Sequence, residues 1–283
     1  MTKSILFGAL VSLPLFFFSC GSGDDHSDLS DSSLRGKVKS VTEKQFHAVV
    51  TPDGDVEKGA FFRTEGEWDF VQRFNKDGMF TSISFLDRDG DTISKSIYAY
   101  DEKGKLASKS FYDPTLKMKS EYEYDPQGRV KMAYDFDADG DLMLVTSTEY
   151  NDDNLIETST TFNKQGKYLR QSILQKNKKG FVTDYKFYNE ERKLGNWRKE
   201  THADDGKLIE MSVLNQDETA AFIVRYLYNK QGDLTLSQPV SEEEEFLSDR
   251  YVYEYDKKSN WRRRIHFKGD SAYSVTERVI EYY

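Results

Sequence analysis

The sequence predicts an all-β protein, a long curled antiparallel meander of short hairpin repeats. Three observations carry that expectation. One turn motif recurs along most of the chain, the residues between turns alternate with a period of two, and the apolar content leans on 18 Tyr and 19 Phe. Aromatic residues favour strands, and period-two alternation marks half-buried antiparallel ones.

The motif is an aromatic residue, then Asp or Asn, a polar spacer, Gly, one further residue and an apolar position. Clear copies are Phe74-Asn75-Lys76-Asp77-Gly78, Tyr100-Asp101-Glu102-Lys103-Gly104, Tyr124-Asp125-Pro126-Gln127-Gly128, Phe162-Asn163-Lys164-Gln165-Gly166 and Tyr228-Asn229-Lys230-Gln231-Gly232. Decayed copies lie at Tyr112-Asp113, Tyr150-Asn151, Tyr188-Asn189 and Tyr255-Asp256. Together with Phe85, Phe136 and Phe267 the markers fall roughly 11 to 15 residues apart, room for one strand and one turn. Asp or Asn opens the turn by bonding the backbone two residues on, and Gly supplies the positive φ that closes it. Between turns, Met118, Ser120, Tyr122 and Tyr124 are expected on one face, with Lys119, Glu121 and Glu123 on the other. In the next strand Val130, Met132, Tyr134 and Phe136 are expected to share a face against Arg129, Lys131 and Asp135.

This pattern gives roughly 14 to 16 strands, too many for a flat sheet, which would curl or split. The rival architecture is an outer-membrane barrel, which the terminal Tyr282-Tyr283 favours. The short strands oppose it, because a spanning strand needs about 9–11 residues.

The motif copies resemble the YD-repeat, or RHS-like, family over about residues 70 to 283. The nearest resemblance is to YD-repeat lipoproteins of Bacteroides-type Gram-negative bacteria, including Gly36-Lys37-Val38-Lys39-Ser40-Val41 at the start and Asn260-Trp261-Arg262-Arg263 near the end. The resemblance implies a repeat-built β body. The family often carries a sugar-binding label, but its motif residues are turn and strand residues and identify no ligand site.

The N-terminus predicts export and anchoring. Lys3 is the only early charge, the chain is apolar from Ile5 to Phe18, and Ser19-Cys20 follow. The apolar run is short of the roughly 20 residues of a spanning helix and reads as a signal peptide over 1–19. Cys20 is the single cysteine, and Phe17-Phe18-Ser19-Cys20 resembles a lipobox, so Cys20 is the expected lipidation site and the membrane a partner through that anchor. Residues 20–35, rich in Gly, Ser and Asp, read as a flexible tether. Its acidic stretch resembles a surface-export signal of Bacteroides-like lipoproteins, with a plain solvated linker as the alternative. The expected location is the cell envelope, at the outer membrane, with the β body over 36–283 and no helix longer than about three turns.

Charge and motif content restrict function. The chain carries 49 acidic against 40 basic residues, a net charge of −9, so nucleic acid is an unsuitable partner. Asp135, Asp137, Asp139 and Asp141 around Gly140 match the first half of a calcium loop, but the twelfth position is Thr146 rather than a bidentate Glu. The choice there is between a weak calcium site and an Asp-rich hairpin turn, and no other cofactor is implied. Trp197 and Trp261 each follow Asn and precede basic residues, as in a stacking platform for a sugar ring, and ordinary strand packing explains them equally. The histidines at 26, 47, 202 and 266 show no metal spacing, and no nucleophile elbow, phosphate loop or zinc motif is present. The functional expectation is a non-catalytic envelope lipoprotein whose β surface binds or scaffolds a glycan or envelope protein. The alternative is an envelope-anchored hydrolase of carbohydrates with carboxylates that the sequence does not single out. The two breaks in the pattern, 48–60 and 239–248, read as loops.

Overall fold

The computed structural model describes residues 28–61, 68–240 and 247–283. The signal peptide, Cys20, His26 and Glu242–Glu245 therefore lie outside the described residues. A four-residue helix, α1 (Asp28–Asp31), precedes nineteen strands. These are β1 (Val38–Val50), β2 (Val56–Phe61), β3 (Asp69–Phe74), β4 (Phe80–Leu86), β5 (Thr92–Tyr100), β6 (Leu106–Asp113), β7 (Thr115–Tyr124), β8 (Val130–Phe136), β9 (Leu142–Asn151) and β10 (Ile156–Asn163). They continue as β11 (Tyr168–Lys176), β12 (Val182–Tyr188), β13 (Leu194–His202), β14 (Leu208–Leu214), β15 (Ala220–Tyr228), β16 (Leu234–Pro239), β17 (Asp249–Tyr255), β18 (Trp261–Lys268) and β19 (Ser271–Tyr282).

The all-β expectation holds, but the open meander does not. From β3 to β19 every strand pairs antiparallel with its sequence neighbour, and β1 then pairs with both ends of that series. It meets β19 from Val38↔Tyr282 to His47↔Ser274 and β3 from Ser40↔Arg73 to Glu43↔Phe70. The result is a closed antiparallel barrel of 18 strands, with β2 hairpinned onto the far half of β1. The pairing that closes it joins residues more than two hundred positions apart, which no local pattern encodes. The strand count also exceeds the expected one. Turns at Leu86-Asp87, Lys176-Asn177, His202-Ala203 and Leu214-Asn215 lack the aromatic marker but fold the same way.

Most turns share one bond pattern, the exceptions including those at 113–115, 151–156 and 268–271. At 101–105, Asp101 N–H donates to the Lys105 carbonyl and Gly104 N–H to that of Asp101. The Asp101 carboxylate accepts from the N–H groups of Lys103 and Lys105, both at 2.8 Å. Gly104 sits at φ +77 with open space around its missing Cβ, so the glycine is there for backbone conformation, not clearance. A one-residue bulge follows, where Ala99 pairs with Ser108 and Tyr100 with Leu106.

Because these turns have one hand, the residue before the turn points to opposite faces at the two rims. A chain rising, stepping sideways and descending turns clockwise seen from one side; at the other rim the same step turns anticlockwise, so an identical chiral turn must present its flanking side chain to the other face. At the rim beside α1, here the proximal rim, the Tyr124 and Tyr150 hydroxyls donate to the carbonyls of Leu106 and Val130 on the inner side. At the distal rim, Phe136 pairs with Lys119 and lies on the face opposite Asp135. The bulge also corrects an expected face: Val130 pairs with Tyr124, whereas Met132 and Tyr134 pair with Glu123 and Glu121 on the other side.

Residues 28–35, read from sequence as tether, pack into the barrel. Leu29 and Leu34 join a core with Val38, Val41, Phe74, Phe80, Ile83 and Tyr98. The Asp28 carboxylate accepts from Phe80 N–H at 2.5 Å, and the Arg35 guanidinium donates to the carbonyls of Ser259 and Gln231. Those anchor points lie roughly 30 Å apart along the wall at about 4.8 Å per strand, so this short segment crosses inside the proximal mouth. The face against which it packs is therefore the inner one.

Away from this seam the wall is a single layer. From β6 to β16 the buried strand residues are Ser120, Thr161, Trp197 and Val224, the rest being half-buried or exposed. An 18-stranded ring is wide enough to leave a water-filled interior. Both faces carry charges at mid-strand: Lys119, Glu121, Lys186, Glu210 and Arg225 outside, and Lys109, Asp135, Arg170 and Arg198 inside. At about 2–4 kcal/mol for a mid-bilayer Lys or Arg, the outward charges on β7, β12, β14 and β15 oppose burial of those strands in lipid.

Candidate functional site

The inner face of β17, β18, β19 and β1 gathers the densest set of aromatic and charged side chains. Register places Tyr253 beside Arg264, Arg264 beside Thr276, and Arg278 beside Glu43. Trp261 pairs with Tyr255 directly after the turn at 256–260, so it points inward. Its ring centroid is 3.4 Å from the Arg278 guanidinium carbon and 5.1 Å from that of Arg264, with Tyr253 at 5.9 Å. Arg264 also reaches to 5.5 Å from the Tyr251 ring. Beyond it, His266 stacks on Tyr251 at 4.8 Å and bonds Asp249 at 2.6 Å.

Glu43 and Arg278 form a buried pair, with Arg278 Nε donating to Glu43 Oε1 at 2.7 Å. Burial pulls the Arg278 guanidinium below the usual arginine range; Glu43 opposes that pull and nearby Arg264 adds to it. Burial pushes the neighbouring Tyr253 phenol up, against the lowering effect of Arg264. Arg264 differs from Arg278 in its partners. Among the described residues no carboxylate pairs with it, its Nε has no hydrogen-bond partner, and one Nη reaches the Thr276 hydroxyl at 3.4 Å.

A second inner cluster spans β11–β15, where Arg198 and Glu200 form a matched pair and Arg170 reaches only the Thr161 hydroxyl at 3.4 Å. Arg198 stacks on Tyr185 at 4.5 Å and meets Glu200 at 2.6 Å, and Glu200 also faces His202 at 3.6 Å. A shallow groove between Arg73, Ser82, Ser84, Lys95 and Tyr112 lies apart from both clusters.

The two tryptophans singled out by sequence are not brought together. Trp197 lies on the outer face, paired with Lys186; its Nε1 donates to Asp184 at 3.1 Å, and the Lys186 ammonium lies 4.4 Å from its ring. Nor are the four aspartates. Asp135 turns inward and accepts from Ser120 Oγ at 2.5 Å, while Asp137 caps its own turn by accepting from the N–H groups of Asp139 and Asp141. Among the described residues no group of three or more metal-ligating side chains forms. His47, His202 and His266 are likewise dispersed, and Cys20 lies outside the described residues. Sequence reasoning missed Arg264, Arg278, Glu43 and Tyr251, whose association depends on the long-range closure. It also missed Asn260, buried to 2 %, whose amide binds the Arg35 backbone and the Tyr282 hydroxyl and so fastens the segment across the mouth.

No protein-family model matches the chain, and no curated protein sequence does. Solved structures similar to it include a porin-like protein from Bacteroides uniformis, 13% identical, with a TM-score of 0.44 and coverage of 86% of this chain and 98% of that one. Others are a TcdB2–TccC3–Cdc42 complex, 12% identical with a TM-score of 0.32 over 74% of this chain, and the Photorhabdus luminescens Tc holotoxin pore, 10% identical with a TM-score of 0.20 over 83%. The chain spans 12% and 18% of the length of those two toxin chains. Likenesses of this size assign no family, and the YD-repeat and lipoprotein resemblances of the sequence find no family-level match.

Proposed function

We propose that this protein is a non-catalytic binding shell of the cell envelope, anchored through Cys20, that holds a glycan or a segment of an envelope protein against its inner wall. The observation that carries the reading is the inner face of β17–β19 and β1, where half-buried Tyr251, Tyr253, Arg264 and His266 gather around the buried Trp261. Aromatic faces and a few placed polar groups are the usual furniture of a binding site. A closed β-barrel suits an envelope location, and the lipobox-like segment supplies the means of attachment.

The test is a glycan and envelope-protein array probed with the purified chain and two variants. Trp261→Ala is expected to weaken the signal at least tenfold, whereas Trp197→Ala, on the outer face, leaves it within twofold. Equal losses from both variants would contradict the inner-wall site. A blank array from a preparation that releases reducing sugar from polysaccharides would replace binding with hydrolysis.

A further inference from the structure

We infer that Arg264 is the anchor of an acid-specific subsite, so that the inner wall takes a carboxylate-bearing saccharide rather than a neutral one. The inference rests on the inner-wall reading above and names its ligand class. Two observations support it independently.

The first is charge. Ionised groups withdrawn from water are kept paired or hydrogen-bonded, because an unmatched charge is costly. Around Trp261 there are two guanidinium groups, Arg264 and Arg278; Glu43 is bonded to Arg278 by two guanidinium nitrogens, and Asp233 accepts from the Tyr255 hydroxyl and acts on Arg278 from farther off. Arg264 is therefore the guanidinium of this cluster without a bonded carboxylate among the described residues. Elsewhere on the inner face Arg198 is matched by Glu200 and Lys176 by Glu157 at 2.8 Å, whereas Arg170 makes only a 3.4 Å bond to the Thr161 hydroxyl and lacks the flanking Trp and Tyr pair of Arg264.

The second is shape. Arg264 is half-buried between the rings of Tyr251 and Trp261, which fixes the plane of its guanidinium. Its Nε has no partner among the described residues, and its only hydrogen bond is the long one to Thr276. With Nε buried, the terminal Nη1–Nη2 edge is the one that offers two parallel N–H donors, the geometry that a carboxylate matches and a hydroxyl does not. Tyr251 and Tyr253 flank that edge with ring faces suited to the C–H face of a pyranose. Gln45 lies farther along the same face, its amide donating to the buried Ser274 hydroxyl at 3.1 Å.

The test is isothermal titration calorimetry of the full chain in detergent. It is titrated with a galacturonic acid oligosaccharide and with the same oligosaccharide after its carboxyls are reduced to alcohols. The acidic form is expected to bind at least tenfold tighter. Arg264→Gln should abolish that preference while leaving the weaker neutral binding in place. Arg264→Lys, which keeps the charge and loses the fork, should retain only part of the preference, and it serves as the readout should circular dichroism show the Gln variant misfolded. Equal binding of the two oligosaccharides, or a preference that survives both substitutions, overturns the acid subsite and leaves the inner-wall reading standing. Binding of neither by the native chain overturns this inference, while a positive array signal for another ligand would keep the broader reading.

Discussion

Trp197 and Trp261 occupy nearly the same local sequence, Gly195-Asn196-Trp197-Arg198-Lys199 and Ser259-Asn260-Trp261-Arg262-Arg263, yet they end on opposite faces of the wall. The first follows a distal-rim turn and the bulge that begins β13, so Asn196 points inward beside Phe187 and Trp197 outward beside Lys186. The second follows a proximal-rim turn of the same hand, where the residue after the turn faces in. Position relative to the bulge and choice of rim, rather than residue type, decide which tryptophan reaches the interior. The surroundings then diverge. Trp261 sits on a buried ion pair within the closing seam, and Trp197 sits under lysine side chains on a single-layer wall.

Removing the polar partner at each tryptophan sharpens this difference. Glu43→Gln leaves the Arg278 charge buried and unmatched, an expected loss of about 3–5 kcal/mol. Asp184→Asn weakens one bond to the Trp197 indole, an expected loss of about 1 kcal/mol. Urea unfolding followed by circular dichroism measures both, and comparable losses would mean that the seam is no more buried than the wall.

A smaller effect distinguishes the inward-facing rim tyrosines. Burial, then the nearby Tyr226 and Asp205, push the Tyr228 phenol up to about 12. Burial and its bond to Asp233 do the same for Tyr255, also to about 12. The folded values lie above the unfolded value near 10, so the fold favours the neutral phenols. Their stabilisation is fully present below about pH 10 and is lost as pH rises toward about 12. Unfolding midpoints should fall over that interval, less steeply for Tyr228→Phe, and a flat profile would show these hydroxyls to be exposed.

The hairpins were legible because each turn encodes itself: Asp101 and Gly104 lie three residues apart and need nothing distant. The face of each strand was only half legible, since a bulge after each turn shifts the phase, as between Val130 and Met132. Closure was illegible in principle. Val38 and Tyr282 are ordinary strand residues, and the ring that pairs them is a property of eighteen strands together. The inner cluster followed closure into obscurity, because Glu43 and Arg278 share a face only once β1 meets β19. Leu29 and Leu34 were the overlooked signal in the supposed tether, two apolar residues in an otherwise polar run.

Closure is the claim on which the interior, the seam and the proposed site all depend, and one cross-link addresses it directly. Thr42 and Val279 are register partners on the outer face of β1 and β19, within the separation that a disulfide bridges. In a Cys20→Ser background, Thr42→Cys with Val279→Cys should form a disulfide under mild oxidation, seen as a mobility shift on a non-reducing gel. Thr42→Cys with Leu227→Cys, several strands away, should stay reduced. A chain in which both pairs stay reduced, or cross-link equally, would have open ends and no enclosed wall.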